Sequence, residues 1–480
     1  MRKRLEMSDI GIVTKRKVKK GSLCGIAPGN EEDETAIREA SNVNTRQLPK
    51  LKGHPALYDC TIVTSGAPYQ YMIFPIDNNM YLVGFDGSRL NLYQIYPDGK
   101  FTFLFDISER MAEDEAREKV KCVVYCGLDY GDNRGRRAII YPLGCAINID
   151  ESTGKPSGYL DVNAYCDYNM FRSAVMHDKR IFATDGEKIY ASKVESVIEF
   201  LPASNKTDED DPFATTVPND TMNPRPILGV TVYRQEVYYF CENSFGRVWG
   251  GGNPYRVESL SDIGTVDFDS VRVLDDTLYF LSKDGLMAYD GQKLRSVSRF
   301  AVDSPIEKGK AEVYRGQYYF YIGREGDKRA YTYCPQNDSF GCLPLAEEDL
   351  KMFAKTKDTL YLLSRDPHGY GKTHRLLQQP AAFSFRTPLQ RSEHLSPEKL
   401  KQVRIHADFS GEGGLDGSLC VYTKDGRREQ YPLFSGVRAS GERVLSKRVA
   451  VPAGVAFDLF VSVTAGVSVL GYEMICQKEE

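Results

Sequence analysis

The chain has 480 residues, 41% of them apolar, and a formal net charge of −4. Such a length supports a large core and more than one domain, and the near-neutral charge argues against a whole-molecule field that gathers nucleic acid. No apolar run is long enough to span a membrane, and the eleven cysteines, an odd number without framework spacing, read as buried reduced thiols.

Residues 1–52 are polar and locally lopsided, and read as an extended N-terminal arm. Arg2, Lys3, Arg4, Lys15, Arg16, Lys17, Lys19 and Lys20 crowd its front, ahead of Glu31-Glu32-Asp33-Glu34. The basic run is either a solvated tail or an arm that meets a neighbouring subunit or DNA, since basic groups neutralise phosphate. No apolar segment follows Arg2-Lys3-Arg4, so the reading is a product that stays in the cell that makes it. Residues 35–41 fit a short helix. Leu57-Tyr58-Asp59-Cys60-Thr61-Ile62-Val63 fits a strand.

A repeated phrase then organises residues 53–380. Its clearest copy is Asp275-Asp276-Thr277-Leu278-Tyr279-Phe280-Leu281, followed by an Asp284-Gly285 turn and Leu286-Met287-Ala288-Tyr289. It reads as turn, aromatic strand, hairpin turn, second strand. Related copies begin at Asn78, Arg136, Asp178, Arg234, Arg315 and Lys357. A period of roughly 40 residues with a hairpin in each copy marks a radial β array. Alternation at period two excludes a helical solenoid. The prediction is an all-β chain with a β-propeller of about seven blades, whose N-terminal strand closes the last blade and removes the free edges. The Tyr238-Tyr239 and Tyr318-Tyr319 stripes read as blade packing, with a stacking surface as the alternative.

Three insertions interrupt the repeat. Residues 108–121 are helix-prone with Ser108 as candidate N-cap. Residues 205–226 read as an irregular acidic, proline-rich loop, and 246–253 as a flexible tip holding Trp249, the only tryptophan. From residue 381 the pattern becomes short alternating strands, among them Val403-Arg404-Ile405-His406-Ala407 and Ala456-Phe457-Asp458-Leu459-Phe460. This predicts a small C-terminal β-sandwich over 381–480.

Few residues suggest chemistry. Gly369-Tyr370-Gly371-Lys372-Thr373 evokes a phosphate loop, but Asp366 occupies the position of its first glycine. His368 and His374 lack a third ligand. Cys122 and Cys126 lack the rest of a zinc set. The Asp208-Glu209-Asp210-Asp211 run lacks the spacing of a calcium loop. No nucleophile elbow or glycosidase carboxylate pair stands out, so neither a catalytic residue nor a cofactor or metal is expected.

Two stretches carry a family resemblance. Ser41-Asn42-Val43-Asn44-Thr45-Arg46 with Leu48-Pro49-Lys50-Leu51-Lys52-Gly53, and the terminal strands ending in Leu470-Gly471-Tyr472-Glu473-Met474, resemble β-propeller tail proteins of tailed bacteriophages. The resemblance implies a non-enzymatic virion protein, a ring (a hexamer being one option) in the tail nozzle, tube or tip around the DNA exit channel. It implies portal, connector or other tail proteins as partners, transient contact with phage DNA, and assembly in the host cytoplasm. Two other readings stay open: a propeller that binds carbohydrate or a host receptor, and a propeller hydrolase acting on polysaccharide.

Overall fold

A computed structural model describes residues 16–21, 38–48, 50–62, 69–127, 135–162, 170–201, 208–217, 225–297, 305–324, 327–343, 349–365, 371–392 and 396–478. The chain divides into two compact units, one of Met1–Ala56, Thr332–Pro344 and Gln379–Glu480, the other of Leu57–Tyr331 and Leu345–Gln378.

The larger unit carries the repeat. Seven antiparallel sheets follow one another, each built mainly as a four-stranded meander, and together they form a β-propeller. The predicted phrase supplies the second and third strands of each sheet, for example Thr277–Ser282 and Gly285–Tyr289. These are the most buried strands because both their faces meet neighbouring blades. Tyr239, Phe240, Phe280, Tyr318 and Phe320 are all at most 1% exposed, which settles the tyrosine stripes as packing. Fully burying side chains of this size is worth about 1.5–3 kcal/mol each.

The first strands lie innermost. Those of neighbouring blades run side by side, and Asp349–Lys355 of the seventh blade returns to Tyr69–Ile76 of the first. Ile73, Leu82 and Phe101 of the first blade share a core cluster with Ala354, Tyr361 and Leu363 of the seventh. The ring is therefore closed by packing. It is also closed by the chain: Pro55–Asp59 is the outermost strand of the seventh sheet, beside Gly371–Pro380, as expected for an N-terminal closing strand.

The turns between first and second strands repeat one geometry. Asp178 and Lys179, Arg234 and Gln235, Asp275 and Asp276, and Arg315 and Gly316 all have φ between 47° and 74°. Two consecutive left-handed residues make the two-residue turn whose twist matches the strands it joins.

Several expectations need correction. The stretch ending at Ser41 is not helical in its described part: Arg38–Ser41 is a strand paired with Phe383–Arg386. The helix of the first insertion is shorter, Glu113–Glu118, with Ala112 at its N-cap. Ser108 is instead engaged by the first blade, its Oγ accepting from the Leu90 amide at 2.8 Å. Within 205–226, Phe213–Thr216 is the fourth strand of the third blade. Trp249 ends the strand Phe245–Trp249, with the Arg247 and Arg256 guanidinium groups 5.7 and 5.0 Å from its ring centre.

The smaller unit holds two further antiparallel sheets. One has the order Arg16–Gly21, Val467–Lys478, Glu398–Phe409, Gly441–Arg448. The other runs Arg38–Ser41, Phe383–Arg386, Ala456–Val463, Gly414–Tyr422, Arg428–Arg438. Within this second sheet Asp458 is fully buried and accepts from Arg386 Nη1 and from the Tyr422 hydroxyl, each at 2.8 Å.

Candidate functional site

The innermost strands of the propeller carry ionic networks that join neighbouring blades. Lys310, on Lys308–Tyr314, places Nζ 2.8 Å from both Asp267 and Asp269. The two aspartates flank the start of a one-turn 3-10 helix, Phe268–Ser270, where the Asp269 amide donates to the Asp267 carboxylate at 3.1 Å. That turn is fixed from below, since the buried Tyr318 hydroxyl donates to the Ser270 carbonyl.

The three charges shift one another. Burial, helped by the neighbouring charge of Asp269, raises Asp267 above the ordinary carboxylate range. Burial also acts to raise Asp269, but Lys310 and then Arg272 outweigh it and hold that group low. Burial opposes the charge on Lys310, and the two carboxylates overcome it and hold the ammonium above its usual value. Across the blades, burial pushes the Cys122 thiol up to about 12, with the charge of Asp269 adding to the shift. It is a neutral thiol, not a nucleophile.

A second network lies further along the same strands. Glu312 takes Arg272 at 3.5 Å and Lys355 at 3.1 Å. Both networks pair acid with base, so the arrangement is suited to rigidity at the axis.

One further constellation has the outline of a nucleophilic triad. His374 Nε2 lies 2.9 Å from Ser364 Oγ, and its Nδ1 2.7 Å from Asp59 Oδ1. The accessibility is inverted relative to a hydrolase. Ser364 is fully buried whereas the Asp59 side chain is 60% exposed, so no substrate carbonyl can reach the hydroxyl. The chain of contacts instead ties the closing strand of residue 59 to the second and third strands of the seventh blade.

Of the residues singled out in the sequence, Arg16, Lys17, Lys19 and Lys20 lie on Arg16–Gly21, an edge strand paired antiparallel with Val467–Lys478. Arg2, Lys3, Arg4 and Lys15 lie outside the described residues, as do His368 and, from the phosphate-loop lookalike, Gly369 and Tyr370. Lys372 and Thr373 belong to a blade strand. In the acidic loop the Asp208 amide donates to Asp211, and the buried Arg180 donates to the main-chain carbonyls of Glu209 and Asp211. Among the described residues no group of three or more histidine, cysteine, aspartate or glutamate side chains is placed to hold a metal ion. The Asp267, Asp269 and Lys310 cluster escaped the sequence reading. Its only local trace is an Asp-x-Asp ahead of an inner strand, and its lysine comes from the next blade.

No family model and no curated protein matches the chain. Among solved structures it is similar to the β-propeller domain of Myceliophteria thermophila Cps50 (Swd1), at 8% identity over 66% of this chain and 98% of that one, with a TM-score of 0.38. BBS1N, solved in complex with ARL6DN, gives 10% identity over 68% and 96%, TM-score 0.38. An exo-β-1,3-galactanase from Phanerochaete chrysosporium gives 7% identity over 88% and 100%, TM-score 0.24. The chain is an all-β protein built around a β-propeller. No helix among the described residues is long and apolar enough to cross a membrane.

Proposed function

We propose that this chain is a non-enzymatic structural protein of a tailed-phage virion, a propeller followed by a β-sandwich, that assembles as a ring in the tail around the DNA exit channel. The observation that carries the reading is the build of the stretch on which the resemblance rests. Asn42, buried with φ of 57°, donates its side-chain amide to the carbonyls of His54 and Ala382. Val43–Asn44 and Lys52–Gly53 pair as a hairpin. A Cβ at Gly53 would sit 2.1 Å from the Ala381 carbonyl oxygen, so only glycine fits. The phrase is thus a demanding structural element and not a tail of interchangeable polar residues. The paired ionic network at the axis supports a rigid scaffold over a catalyst. Asp267 and Asp269 converge as a hydrolase would ask, but both are turned to Lys310.

Sedimentation velocity on the purified chain tests the reading. A ring of several copies is expected, and a monomer at all concentrations contradicts it. A second reading, glycan or receptor binding, is favoured by Tyr58, Tyr96, Phe103 and Tyr159, exposed by 40 to 45% on outer strands and turns. Exposed rings of this kind stack on sugars, and glycan binding by the isolated protein would favour that reading.

A further inference from the structure

We infer that the sheet formed by Arg16–Gly21, Val467–Lys478, Glu398–Phe409 and Gly441–Arg448 is a docking surface for the phosphodiester backbone of nucleic acid, read without regard to base sequence. Its four strands hold eleven lysines and arginines against four carboxylates, a net +7, in a chain of net −4. The companion sheet, counted in the same way, is only +1, from five cations and four carboxylates. The charge is therefore a property of one sheet and not of the unit. Cations clustered on the strands of one sheet within an acidic chain are the electrostatic footprint of polyanion binding.

Position and accessibility agree with that charge. Gly441–Arg448 is an edge strand exposed along nearly its whole length, on both faces. Arg443 and Lys447 stand opposite Ala407 and Val403, and Arg448 opposite Gln402. None of the three has a carboxylate partner among the described residues, and neither have Lys399 and Lys401 on the next strand. At the opposite edge of the sheet, Arg16, Lys17, Lys19 and Lys20 pair in register with residues 473–477. The basic residues of the N-terminal segment and those of the C-terminal strands, far apart in sequence, thus lie on strands of one sheet.

Charges on an edge strand also guard against pairing with another chain. That purpose is served by either sign, so it leaves the +7 unexplained, and it offers a way to separate the two. The variant R443E/K447E/R448E keeps the edge charged but reverses its sign. Fluorescence anisotropy of a short mixed-sequence DNA duplex with the full chain should show binding that weakens steeply between about 50 and about 200 mM salt. The triple reversal should weaken binding about tenfold or more and flatten the slope of log K against log salt by about 2 to 3, while K155E/K188E/K293E on the propeller changes neither. R443Q/K447Q/R448Q, with an unchanged circular dichroism spectrum, should give an intermediate loss. No binding at about 50 mM salt, or binding and slope equal to the parent in the triple reversal, overturns the inference. So does a triple reversal that leaves DNA binding intact and alters only self-association, which would assign the sheet to contacts between copies. The inference holds whether or not the chain builds a tail ring, because ring formation is read by mass and DNA binding by anisotropy.

Discussion

The Tyr233 hydroxyl donates to the main-chain carbonyl of Asp276 at 2.8 Å, from the last residue of an inner strand to the turn of the next blade. Two blades on, Tyr314 does the same to Asp358 at 2.5 Å. Both tyrosines are followed by an arginine whose guanidinium lies over the ring, at 5.3 Å for Arg234 and 5.0 Å for Arg315. Arg234 also reaches Asp276 directly, with Nη2 2.5 Å from the carboxylate. The propeller is thus fastened turn to turn along one rim, in addition to its buried cores.

Removing the hydroxyl alone tests this fastening. Tyr233→Phe and Tyr314→Phe should each lower unfolding free energy by about 0.5–1.5 kcal/mol, the net worth of a hydrogen bond whose acceptor is partly buried. The sites share no partner, so the double variant should show the sum. Urea denaturation measures both, and a double variant as stable as the parent would reject the clasp.

His54 makes stability depend on pH. It is fully buried, its ring nitrogens meeting Asn44 at 3.2 Å and Thr332 at 3.3 Å. Burial lowers its pKa to about 3 from the ordinary 6.5. The folded chain therefore holds it neutral while the unfolded chain takes up a proton below 6.5, so its contribution is full above that pH and is lost as pH falls toward 3. The stability of the parent should fall relative to His54→Asn by about 1.4 kcal/mol per pH unit in that window. Parallel stability curves for the two proteins would contradict the assignment.

The Arg386 and Asp458 pair is sealed within the smaller unit. Asp458→Asn or Arg386→Met should cost about 3–5 kcal/mol, because each leaves one buried charge uncompensated. Arg386→Met with Asp458→Leu should recover much of that loss, since a buried pair is dispensable when both members go. Chemical denaturation checks both, and a double variant no better than the singles would contradict the argument.

His374 holds the closing strand. His374→Ala frees Asp59 and Ser364 together, and the Cys60 amide, which donates to the Thr373 carbonyl at 2.8 Å, should exchange about tenfold faster. Hydrogen exchange read on that segment, against the unchanged fourth blade, gives the answer. Equal protection in parent and variant would show that the strand is held by other means.

The sequence made the central hairpins of the blades legible because both faces of those strands are apolar and their turns carry Asp-Gly or paired polar residues. Strands at the inside and outside of each blade were harder. Arg272–Leu274 and Phe213–Thr216 are short and half exposed, and only their partners make them strands. Arg38-Glu39-Ala40-Ser41 has helix-forming residues, and tertiary pairing overrides that propensity. Ser108 has the chemistry of an N-cap, but the Leu90 amide claims it first. The axial network joins Lys310 to aspartates 43 and 41 residues earlier, and no local pattern encodes such a meeting. The basic sheet was half visible. Arg16 to Lys20 form a run legible in the sequence, while Arg443, Lys447 and Arg448 join the same sheet only through strand order.

Particle imaging of the purified full-length chain bears most directly on the proposed assembly. Closed rings of several copies, each copy showing a propeller of seven sheets, are the predicted result. Single monodisperse copies that bind or cleave polysaccharide would contradict it.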